Sequence, residues 1–175
     1  QIADMGFDIE SKKISIAGEY AFSDNDLNLY SPLDDDDNFG DAAAVSGTLN
    51  IVKPFSINAG GRYISSTFAT PGRIDPAEFN RNWNLSSSTD NVRDLIMQSG
   101  ISTEADFGTA SFQIGQRNLG DDKSQRASFT GDIHDEKWTS QISLNNAKSS
   151  LGDRLDGKLT IARSQETGLS LIQNS

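Results

Sequence analysis

From residue 13 onward, apolar and polar positions of the chain alternate with a period of two. Ile14, Ile16, Gly18, Tyr20 and Phe22 fall on one side of that alternation, and Ser15, Ala17, Glu19 and Ala21 on the other. A helix would repeat its apolar positions every three or four residues, so this segment is predicted as a strand. The same parity returns in Ala43, Val45, Gly47, Leu49 and Ile51, and again in Phe55, Ile57, Ala59, Gly61 and Tyr63. Further strands are predicted around Phe112 and Ile114, around Phe129 and Ile133, from Trp138 to Leu144, and from Leu155 to Ile161. Residues 2–10 form an expected first strand, and Leu169 with Leu171 an expected last one.

Short polar turns are expected near Ser11, at Lys53-Pro54, at Asp135-Glu136 and near Gln165. Longer loops are expected over residues 24–41, 69–79, 118–123 and 148–154. Short and long connections then alternate, as in an up-and-down antiparallel meander whose long loops share one end. The pattern breaks in a long insertion, residues 69–106. Within it, residues 71–85 combine two prolines, Phe79, Trp83 and a run of Asn and Arg. Residues 82–86 are expected to form a short strand, and residues 90–98 a helix capped by Asp90.

Composition narrows the architecture. Hydrophobic residues make up 35% of the 175-residue chain and Gly 15 positions, too little for a thick two-sided core but enough for a sheet with one apolar face. The length suits one domain, residues 1–175. The net charge of −10 repels nucleic-acid phosphates and anionic lipid headgroups, which removes both from the expected partners. The chain has no cysteine, which excludes disulfides and thiolate chemistry. Its start at Gln1, without an initiator Met or signal peptide, is read as that of a processed chain or a piece of a larger one.

A meander with one apolar and one polar face is how outer-membrane β-barrels are built, with strands of roughly 9–11 residues. The fold class expected is therefore all-β, an outer-membrane β-barrel or part of one. A soluble β-sandwich, in which two such apolar faces pack on each other, is the alternative. Three motifs add to this reading: Asp26-Leu-Asn-Leu-Tyr-Ser31 followed by Asp34-Asp-Asp-Asp-Asn38 and Gly40; Glu78-Phe-Asn-Arg-Asn-Trp-Asn-Leu85; and Phe107-Gly-Thr-Ala-Ser-Phe112 with residues 123–126. In these the chain resembles large, mostly uncharacterised outer-membrane and cell-surface β-strand proteins of Bacteroidota. The resemblance implies a repetitive antiparallel sheet in the cell envelope and carries no catalytic residues.

Candidate chemistry lies in two loops. Asp34, Asp35, Asp36 and Asp37 offer clustered carboxylates of the kind Ca²⁺ takes, although their spacing departs from a helix-loop-helix calcium motif. A solvated acidic loop fits the same residues. Phe79 and Trp83, with Arg81, Asn82 and neighbouring amides, suit a glycan or peptide site in which a ring stacks and amides orient. Packing of Trp83 against the sheet is the competing role.

No catalytic set stands out. His134 is the one histidine, no G-x-S-x-G elbow occurs, and the carboxylate pairs Asp75 with Glu78 and Asp135 with Glu136 sit in turns. The expected function is thus non-enzymatic: a structural segment of an outer-membrane or cell-surface protein, serving transport or adhesion. Its partners would be outer-membrane lipid or other envelope proteins. The alternative is a soluble module binding carbohydrate or protein.

Overall fold

A computed structural model describes residues 1–25, 38–69, 75–76, 78–86, 92–135 and 137–163. Nine strands form one sheet: β1 (Ile2–Glu10), β2 (Ile14–Asp24), β3 (Phe39–Val52), β4 (Phe55–Ile64), β5 (Asp94–Ala105), β6 (Gly108–Leu119), β7 (Asp122–His134), β8 (Trp138–Ser149) and β9 (Gly152–Arg163). Each strand pairs antiparallel with the next, in the order β1-β2-β3-β4-β5-β6-β7-β8-β9. A single turn of helix, α1 (Phe79–Asn82), lies between β4 and β5. The expected all-β antiparallel meander is the fold of the chain.

The sheet is open. It is not closed into a barrel, and its strands do not divide into the two layers of a sandwich. With nine alternating strands, β1 and β9 run in the same direction, so the two edges cannot meet as a further antiparallel pair.

Registers hold one face from strand to strand. Ile16 pairs with Gly47, Gly47 with Ala59, Ala59 with Ser99, Ser99 with Ile114 and Ile114 with Ala127. Since alternate residues share a face, this one collects Phe7, Tyr20, Val45, Ile57, Met97, Ile101, Ile142 and Leu159. The opposite face collects Asp8, Glu19, Ser46, Asn58, Gln113, Thr130, Ser143 and Lys158 by the same pairing. The apolar face has no cover among the described residues: Phe7 is 55% exposed, Ile114 52% and Leu159 62%.

Three expectations change at the insertion. The predicted helix over residues 90–98 is instead the start of β5, paired with β4 and β6. Its alternation is disguised by Ile96, an apolar residue on the otherwise polar face, which is buried beneath the insertion. The insertion accordingly ends before Asp94, so the connection spans residues 65–93 rather than 69–106. Residues 82–86 are not a strand: the end of α1 turns back through Asn84, which has a positive φ of 51°, and the Leu85 amide donates to the Asn80 carbonyl.

The loops expected at 118–123 and 148–154 contract to tight turns between β6 and β7 and between β8 and β9. The first turns on Gly120, whose φ of 58° suits glycine. The turns at Ser11, Lys53-Pro54 and Asp135 stand where expected. The expected strand at Leu169 and Leu171 lies outside the described residues.

Candidate functional site

The only buried hydrophobic cluster among the described residues sits on the polar face. It joins Trp83 and Leu85 of the insertion to Ile96 of β5 and Leu119 of β6, with Phe79 packed against it. The insertion thus folds back over the sheet and brings its own core with it. Trp83 is 1% exposed. A Cβ on Gly115 would lie 2.9 Å from the Trp83 ring, so glycine there gives the ring room to lie close over β6. The Arg126 guanidinium stacks on the same ring, 4.5 Å from its centroid.

Polar contacts hold the segment down. The Ser124 hydroxyl donates to the Trp83 carbonyl. The Asn145 amide donates to the Asn82 carbonyl at 3.1 Å, and the Asn84 amide to the Gly152 carbonyl at 2.9 Å. The Ser149 hydroxyl donates to the Asn84 carbonyl at 2.6 Å. Backbone carbonyls of the insertion are therefore answered by side chains of β7 and β8, as buried polar groups require.

A charged network stands beside this core. Arg62 of β4 makes two hydrogen bonds to Asp75, at 2.5 and 2.8 Å, and a third to Asp94 at 2.9 Å. Arg117 of β6 holds both oxygens of Asp94, at 2.9 and 3.0 Å, and donates to the Asn80 side-chain oxygen at 2.7 Å. Both guanidinium groups stack on Phe79, 5.1 and 4.8 Å from its centroid. Two cations thus share one aromatic ring, and Asp94 bridges them from below.

The four residues expected to bind a ligand therefore differ in surroundings. Trp83 gives its ring to Arg126 and the sheet, which is the packing role. Phe79 is half-buried between Arg62 and Arg117. Asn82 is half-buried and its carbonyl is taken by Asn145. Arg81 is exposed and pairs with Glu78 at 2.5 Å. Sequence reading missed Arg62, Asp94 and Arg117. Arg62 and Arg117 each stand inside a strand between uncharged neighbours, whereas Asp94 follows Arg93 at the start of β5 and has no such local mark.

Asp34, Asp35, Asp36 and Asp37 lie outside the described residues. Among the described residues no group of His, Asp and Glu is arranged to hold a metal. Asp75 and Glu78 are each paired with an arginine. His134 stands at the end of β7, 3.7 Å from Asp132. Glu136 lies outside the described residues.

Comparison with known families, curated proteins and solved structures returns no match to this chain.

Proposed function

We propose that this sheet is part of the wall of a bacterial outer-membrane β-barrel, with no enzymatic role, its apolar face toward lipid and its polar face toward an aqueous interior. The observation that carries this reading is the division of the two faces across all nine strands. Large aliphatic and aromatic side chains stay exposed on one face in every strand, whereas soluble monomers rarely expose contiguous apolar patches larger than a few hundred Å². The other face is wet in character and receives the folded insertion, which would narrow the interior beside β5 and β6. Strands of 9–14 residues are long enough to cross a bilayer when tilted. No helix among the described residues is long and apolar enough to cross a membrane, which leaves strands as the crossing elements in this reading.

The role is structural, in transport or adhesion at the cell surface, with outer-membrane lipid or other envelope proteins as partners. Flotation with phospholipid vesicles, followed by protease digestion, tests it. Co-flotation with protected strands supports the reading. A soluble monomer with a cooperative melt in buffer without detergent would sink it, and would favour a binding module whose apolar face is covered by a second layer.

A further inference from the structure

A trough of about 1050 Å³ crosses the apolar face from Ile16 of β2 to Lys148 of β8. It follows two adjacent register rows, perpendicular to the strands. Its floor is low because Gly47, Ala59, Gly61, Ser99 and Ala127 stand where neighbouring rows carry larger side chains. Across the span from β2 to β8, at about 4.8 Å per strand, it runs about 29 Å.

The two ends of the trough differ in chemistry. Over β2 to β6 its walls are Ile16, Val45, Met97 and Ile114. Beyond them, from Gln116 of β6 to β8, they become Gln116, Gln125, Asn146 and Lys148. Lys123 lies on the same face of β7, two residues from Gln125, and extends the polar end. The carboxylate opposite Lys148 in the register is Asp153. The polar end therefore presents two ammonium groups and several amide donors against one carboxylate, a local exception to the acidic balance of the chain, next to an apolar channel of about 19 Å from β2 to β6, room for an extended acyl chain.

We propose that this trough seats one anionic phospholipid, its acyl chain along β2 to β6 and its headgroup phosphate against Lys148 and Lys123. The assignment rests on the membrane reading above, and goes further by naming one lipid class held in preference to the bulk. Charge complementarity selects the headgroup, and the missing side chains on the trough floor make room for the chain.

Native mass spectrometry of the protein in detergent micelles doped equally with phosphatidylglycerol and phosphatidylcholine tests the assignment. The wild type should retain phosphatidylglycerol by about tenfold over phosphatidylcholine, the value of one charged hydrogen-bonded contact. The Lys123→Gln, Lys148→Gln pair should remove that preference while total lipid retention persists. Ser99→Leu with Ala59→Leu, which raises the floor on an exposed face, should lower retention of both lipids. Equal retention of the two lipids by the wild type overturns the assignment, as does a preference unchanged in the lysine variant. Vesicle flotation run in parallel separates the two readings: a wild type that floats but shows no preference loses the trough alone, whereas one that does not float loses the membrane reading, and the lipid seat with it.

Discussion

Arg117 grips both carboxylate oxygens of Asp94 from the neighbouring strand, at 2.9 and 3.0 Å, with both side chains almost fully covered. A buried pair of this kind is costly to break from one side, because the remaining charge keeps its desolvation and loses its partner. Asp94 also serves Arg62, so its loss strands two cations. Asp94→Asn should cost about 3–5 kcal/mol by denaturant unfolding. Replacing both partners, as in Asp94→Leu with Arg117→Met, should cost less than the single change. A double variant worse than Asp94→Asn would contradict this account.

Trp83 anchors the insertion through a buried ring, whereas Trp138 is 47% exposed. In a Trp138→Phe background the remaining emission should be blue-shifted and poorly quenched by iodide. Trp83→Ala should destabilise the chain by about 3–5 kcal/mol. Gly115→Ala is a finer probe, since its new Cβ would meet the ring at 2.9 Å and the Met97 carbonyl oxygen at 3.1 Å. Its emission should shift red as the ring is displaced. Unchanged emission would mean that the ring does not rest on β6.

Phe79 lies between two guanidinium groups as well as against the buried cluster. Phe79→Leu keeps most of the apolar volume and removes the ring, so it isolates the cation–π contribution. The expected loss is about 1–2 kcal/mol, with a larger loss for Phe79→Ala. Equal effects of the two substitutions would assign the ring's value to packing alone.

The two faces should respond oppositely to a charge. Ile142→Arg places a cation on the apolar face, and in a bilayer should cost up to about 2–4 kcal/mol near the midplane. Gln113→Arg, on the polar face, should be tolerated. Vesicle partitioning of both variants reads the difference directly. Equal partitioning would remove the assignment of faces to lipid and water.

The strands were legible in the sequence because their side chains answer to one rule, apolar to one face and polar to the other. That rule located β2, β3, β4, β7, β8 and β9 from residues such as Ile16, Val45, Phe129 and Leu159. It failed at β5, where Leu95, Ile96 and Met97 follow one another without alternation. Ile96 departs from its face because Trp83 and Leu85 cover it, and a contact between residues that distant in the chain leaves no local pattern. The insertion was visible as a break in the alternation, and Trp83 as its distinctive residue. Its network was not, since Arg62, Asp94 and Arg117 come from three strands and meet only after the sheet has formed. The loops at 118–123 and 148–154 were read too long because their flanking polar residues, Asn118, Asp122 and Ser149, belong to strand ends.

The common direction of β1 and β9 sets a parity rule for assembly. A cylinder with every seam antiparallel contains an even number of staves, and the described residues supply nine. In the proposed barrel, whatever joins these nine strands would therefore contribute an odd number. Two copies placed side by side by rotation about a shared axis total an even number, yet leave parallel neighbours at both junctions. For the nine described strands the count excludes simple self-assembly into an all-antiparallel ring, and the proposed barrel would call for a complement whose chain direction is matched to both free edges at once.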